Sequence, residues 1–165
     1  MREIRSIAIV GSGIIGSGIA MTFADQRFPV VLLDRQQFAL DNALFLITER
    51  YEKESEKGSL NETECRHRIS PIGASLDYEA VRDVDLVIEA VFEEIGAKED
   101  VFRKLDRVLK SGSILATSTS TLDIAVIAAF TGRPEDVIGL HILLVRLTRC
   151  LCFRFCGGSI LPVLS

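Results

Sequence analysis

The chain has 165 residues, 48% of them hydrophobic and 25% charged, enough for one well-packed domain and too few for two of ordinary size. Nineteen basic against 23 acidic side chains leave a formal charge of −4, so no basic field exists to draw in nucleic acid or an anionic membrane. No apolar run approaches the roughly 20 residues that cross a bilayer, the start Met1-Arg2-Glu3-Ile4-Arg5 is unlike a signal peptide, and Cys150, Cys152 and Cys156 crowd together in a way foreign to secreted disulfide scaffolds; a cytoplasmic protein is expected.

Ile7–Val10 is a short, continuous apolar run, the pattern of a parallel strand buried on both faces. It runs straight into Gly11-Ser12-Gly13-Ile14-Ile15-Gly16, after which Ile15, Ile19 and Phe23 repeat at helical spacing. A second strand, Val30–Leu33, ends at Asp34. Leu40, Leu44, Ile47 and Tyr51 mark the next helix, Lys57-Gly58-Ser59 reads as its stop, and Asn61-Glu62-Thr63-Glu64 reads as a capped restart. Residues 36–68 are therefore expected to form a helical hairpin projecting from the sheet, with Cys65 and His67 on its surface. Strands at Leu86–Ile88, Ile114–Thr117 and Val137–Leu140 follow, with a helix carrying Val101, Phe102, Leu105, Val108 and Leu109 between the first two. This alternation predicts an α/β fold, a Rossmann-type doubly wound parallel sheet with a helical hairpin insertion.

The first strand, the glycine loop and the helix behind it have the order that dinucleotide binding requires. Gly11 permits a tight turn, Gly13 lets the backbone approach a pyrophosphate, Gly16 lets the helix lie close, and free amides of Ser12 to Gly16 face the anion. Asp34 stands at the spacing that brings a carboxylate to the adenosine ribose hydroxyls. That carboxylate would repel a 2′-phosphate, so the expected cofactor is NAD rather than NADP, although Arg35 beside it acts in the opposite direction.

Further along, Asp85-Leu86-Val87-Ile88-Glu89-Ala90-Val91-Phe92-Glu93-Glu94 with Lys98, then Leu115-Ala116-Thr117-Ser118-Thr119-Ser120-Thr121-Leu122-Asp123-Ile124, and Arg133-Pro134-Glu135-Asp136-Val137-Ile138-Gly139-Leu140-His141, make the chain resemble the 3-hydroxyacyl-CoA dehydrogenase family. The resemblance covers residues 1–141. The hairpin from Lys57-Gly58 through Ile69, Pro71, Leu76 and Tyr78 also resembles the dehydrogenase region of bacterial multifunctional fatty-acid oxidation proteins. It implies NAD-dependent oxidation of an L-3-hydroxyacyl-CoA to the 3-ketoacyl-CoA, with His141 taking the hydroxyl proton. Ser120 matches a serine that touches cofactor and substrate hydroxyl; it also spells S-x-x-D with Asp123, a helix-cap reading that is compatible with binding because both occur at a helix N-terminus. Glu93 and Lys98 match cofactor-contacting positions, with a solvated ion pair opening the next helix as the plainer alternative. Lys57 matches a lysine that meets CoA phosphates.

After His141 the resemblance stops. Residues 142–165 hold three arginines and no acidic residue, so all 23 acidic groups precede them. Leu144 stands where the family often has asparagine, Phe153 where it has the glutamate that orients the histidine, and Ser118 where asparagine is usual. The expected division is an NAD-binding domain at 1–141 and an aberrant tail at 142–165, the product of a disrupted reading frame or a wrongly joined fragment. The family's second, all-helical domain, which closes over the acyl-CoA and forms the homodimer, is expected to be missing. Cys150-x-Cys152-x3-Cys156 lacks the matched second pair of a zinc knuckle, so no metal is expected. Two rival readings remain: an NAD-binding module without catalysis, and a related dehydrogenase of hydroxy acids or sugar acids.

Overall fold

Ile7–Val10 (β1) is buried along its whole length, because its side chains alternate between two helical layers. The computed structural model describes residues 3–140 and the backbone of 152–154 and 160–162. Chain order continues through α1 (Ile14–Asp25), β2 (Val30–Leu33), α2 (Gln37–Glu56), α3 (Glu62–Ile69), β3 (Ile72–Ser75), β4 (Leu86–Glu89), α4 (Ile95–Val108), β5 (Ile114–Thr117), α5 (Ile124–Ala128) and β6 (Val137–Gly139). These six strands form one sheet in the order β3-β2-β1-β4-β5-β6. Every pairing within it is parallel. Two further strands, β7 (Cys152–Arg154) and β8 (Ile160–Pro162), pair antiparallel with each other. Other features of the tail, including Leu144, Cys150 and Cys156, lie outside the described residues, as does the side chain of Phe153.

On one side of the sheet Ile7, Ile9 and Leu32 pack with Ile19 and Phe23 of α1 and with Leu40 and Ile47 of α2. On the other, Ala8, Val10, Val87 and Leu115 pack with Val101, Phe102 and Leu105 of α4 and Ile127 of α5. Each buried aliphatic or aromatic side chain contributes about 1.5–3 kcal/mol. Two-sided burial explains why the strands read as unbroken apolar runs.

Strand β3 is absent from the sequence expectation. Its residues Ile72-Gly73-Ala74-Ser75 are half-buried or exposed, so it lacks both the apolar run and the alternation that identify strands. Pairing decides it: Val30 to Leu33 bind Ile72 to Ser75 in register, and the Val30 amide donates to Pro71 O.

The hairpin is present, with Asn61 capping α3 by accepting from the Glu64 amide at 2.8 Å. It does not project freely. Leu40, Ala43, Ile47 and Tyr51 bury one face of α2, and the Tyr51 hydroxyl donates to Asp25 Oδ1 at the end of α1, at 2.9 Å. Arg68 Nη1 donates to the same carboxylate oxygen at 3.0 Å, tying α3 to the same point. Burial, followed by the charge of Asp25, pushes the Tyr51 hydroxyl far above its ordinary pKa. Cys65 is also not a surface residue: it is buried, with Sγ 3.2 Å from Tyr51 O. His67 is exposed, as expected. Removing one buried hydroxyl that holds this junction should cost about 1–2 kcal/mol. Tyr51→Phe is expected to lower unfolding free energy by about that amount in urea titration, and an unchanged midpoint would show that the junction contributes nothing.

Candidate functional site

The crevice opens where the strand order reverses, at the carboxyl ends of β1 and β4, with helices leaving on opposite faces. Gly11 turns the chain out of β1 at φ +104. A Cβ there would lie 2.6 Å from Ala90 O, beyond β4, so only glycine fits both the backbone and the space. At Gly16 a Cβ would fall 1.8 Å from Gly11 O and 3.3 Å from Ile9 Cγ2. This glycine therefore brings α1 against the loop as much as against the sheet. Among the described residues a Cβ at Gly13 meets nothing within 4 Å, leaving open space above the start of α1.

No side chain caps α1, and its first turn holds no acidic residue. Its N-terminal amides and dipole therefore form an anion site, fitted to a diphosphate. Ile14 and Ile15 at this end are exposed. Ser12 is buried; its amide and hydroxyl donate to Asp34 Oδ2 at 2.9 and 2.7 Å. Partial burial alone would raise the Asp34 pKa, but bonds from Ser12 and from the Gln36 and Arg35 amides outweigh it and hold the carboxyl below its ordinary value. Asp34 is thus an ionised acceptor at neutral pH, placed by the glycine loop.

A second cluster joins the tips of β4 and β5. Glu89 and Lys98 are fully buried, and Lys98 Nζ donates to both Glu89 oxygens at 2.8 Å. Lys98 Nζ also lies 3.3 Å from Glu93 Oε2. Glu93 Oε1 accepts from the Ser120 amide at 3.1 Å, the Thr121 amide at 3.3 Å, the Thr121 hydroxyl at 3.1 Å and, closer still, the Thr119 hydroxyl. Partial burial again pushes upward, but the Thr119 hydroxyl, Lys98 and the Ser120 amide prevail and lower the Glu93 pKa to about 2.

The reading of Glu93 and Lys98 as a solvated pair is therefore overturned for Lys98, which is sealed from water, while Glu93 stays partly exposed. The capping reading of Ser120 is overturned as well: Asp123 caps α5, accepting from the Ala125 amide at 2.8 Å. Ser120 is left exposed beside Glu93 on the loop beyond β5.

Gly11 to Gly16, Asp34, Glu93, Lys98 and Ser120 thus gather beyond the carboxyl ends of β1, β2, β4 and β5. Lys57 does not join them. It follows the last residue of α2, about 30 Å along a helix that starts near Asp34, and its ammonium is exposed, 3.6 Å from Glu54. His141 lies outside the described residues; the residue before it, Leu140, donates its amide to Thr117 O at 2.9 Å. Glu89 was missed by sequence reasoning, which ended the strand at Ile88. A carboxylate closing a buried strand, nine residues before a lysine on an apolar helix face, was the available signal.

Gly16→Ala should force α1 away from the loop, at a cost of about 1–3 kcal/mol, read as a lower thermal midpoint. The low Glu93 pKa means that its ionised form stabilises the fold above about 4.5, with the contribution lost as pH falls from there to about 2. Wild type should therefore lose stability faster than Glu93→Gln across that interval in acid titration. Parallel curves would refute the linkage.

Residues 6–144 match the family described as "3-hydroxyacyl-CoA dehydrogenase, NAD binding domain". The 3-hydroxybutyryl-CoA dehydrogenase of Clostridioides difficile is 42% identical over 135 residues, covering 82% of this chain and 48% of that protein. The human peroxisomal bifunctional enzyme is 39% identical over 140 residues, covering 85% of this chain and 19% of that protein. The crystal structure of M. tuberculosis FadB2 superposes with a TM-score of 0.83 at 30% identity, covering 87% of this chain and 50% of that one. The chain thus spans about half the length of its bacterial relatives or less. Glycine loop, strand order and extent of match agree, and the chain belongs to the NAD-binding domain family of the 3-hydroxyacyl-CoA dehydrogenases.

Proposed function

We propose that this chain binds NAD and forms the cofactor half of a dehydrogenase that oxidises L-3-hydroxyacyl-CoA to 3-ketoacyl-CoA. The observation that carries the reading is the uncapped α1 N-terminus beside open space at Gly13, with an ionised Asp34 one strand away. The diphosphate rests on the amides of residues 13–16, since the Ser12 amide is taken by Asp34, and Asp34 accepts from the adenosine ribose hydroxyls. The other half of the dinucleotide then extends across the switch point, over the tips of β4 and β5, because a dinucleotide bound at this crevice spans both halves of the sheet. NAD, when bound, accepts the hydride released from C3 of the substrate.

Ser120 orients the substrate hydroxyl at that end of the crevice, and His141 takes its proton; imidazole titrates near neutral pH, as a general base requires. Glu93 and Lys98 hold the loop that carries Ser120. The acyl-CoA substrate, the homodimer and the cytoplasmic setting belong to this same reading, drawn from the family's pattern. A second reading, NAD binding without turnover, is favoured by Leu144 and Phe153 standing where the family pattern has polar partners of the histidine.

Loss of a charged acceptor for the ribose is worth about 1.5–3 kcal/mol. Asp34→Ala is accordingly expected to weaken NAD binding about 10- to 100-fold in calorimetry. Unchanged affinity would remove the cofactor reading. NADH formation from 3-hydroxybutyryl-CoA, lost in His141→Gln, would favour the oxidative reading over binding alone; full turnover in His141→Gln would exclude His141 as the base.

A further inference from the structure

Glu89 closes β4 beneath the crevice and receives a complete set of donors. The Val91 amide and Lys98 bind Oε1, each at 2.8 Å, while Thr117 Oγ1 at 2.7 Å and Lys98 at 2.8 Å bind Oε2. Its own carbonyl accepts from the Ser118 amide at 3.0 Å. A buried ion pair of this kind is commonly no more stabilising than packed apolar side chains of the same volume. Stability alone is therefore a weak reason for placing it here.

What the pair does uniquely is join two loops. Through Val91 it sets the stretch leading to Glu93; through Thr117 it sets the start of the loop carrying Ser120; and Lys98 bridges Glu89 to Glu93, which closes on Thr119, Ser120 and Thr121. Both loops lie on the β4 and β5 side of the switch point. Neither includes the diphosphate or ribose contacts.

We propose that Glu89 is a positioning residue that sets, through Lys98 and Glu93, the pocket for the nicotinamide half of the cofactor, while leaving the ADP half untouched. The inference rests on the proposed NAD site. It predicts that the two halves of the cofactor respond separately to the same substitution, which simple loss of fold would not produce.

The test uses the full 165-residue chain, with NADH and ADP-ribose titrated separately by calorimetry. Glu89→Gln keeps shape but removes the charge that holds Lys98. It is expected to weaken NADH about tenfold while ADP-ribose changes less than about twofold. Thr117→Val, which deletes one donor without changing side-chain shape, should give a smaller loss with the same selectivity. Should Glu89→Gln fail to fold, Thr117→Val and the charge-free pair Glu89→Gln with Lys98→Met carry the comparison. Equal losses for both ligands, or none for either, would overturn the proposal. If wild type bound ADP-ribose but gained nothing from the nicotinamide, the positioning role would fall and the ADP site would stand; if wild type bound neither, the cofactor reading itself would fail.

Discussion

The fold of the crevice depends on how closely the backbone can pass the carboxyl end of β1. Gly11 runs against Ala90 O, and α1 returns over the same point at Gly16, against Gly11 O. Only hydrogen atoms fit at both places. This crowding leaves the amides that begin α1 without side-chain partners and facing an open volume at Gly13, so close packing on one side creates an anion site on the other.

From this turn the two halves of the crevice are held differently. On the β2 side, Asp34 is held by the buried Ser12, whose amide and hydroxyl share its Oδ2. This is a local clasp between neighbouring strands. On the β4 and β5 side, the carboxylate of Glu89 lies under the tips of both strands, and Lys98 carries the connection up to Glu93 and the loop beyond β5. Charged groups sealed from water hold one geometry well, because any departure leaves a buried charge unpaired.

The layers beneath support this arrangement. The α1 helix that presents its N-terminus to the crevice is fastened at its other end, where Asp25 receives Tyr51 of α2 and Arg68 of α3. The hairpin thus braces the helix whose amides would carry the diphosphate. Its distal residue Lys57 lies far along α2 from the crevice.

Much of this was legible in the amino-acid order. Continuous apolar runs marked five of the six sheet strands, since two-sided burial selects such runs; GSGIIG followed by a strand ending in Asp34 marked the cofactor loop, since the close passage of backbone restricts Gly11 and Gly16 to glycine; and Asn61 marked the start of α3, since capping is local chemistry. What tertiary structure decided was non-local. Strand β3 exists because β2 offers it an edge. Cys65 is buried because Tyr51 covers it, and Asp123 caps α5 where Ser120 was the rival. Lys98 and Glu93, alike on paper, separate into a buried strut and a partly exposed loop clamp because Glu89 and Thr117, on two adjacent strands, converge beneath them. A side chain's partners depend on what the chain brings back from far along its length, and a local reading of residue types carries no record of that return.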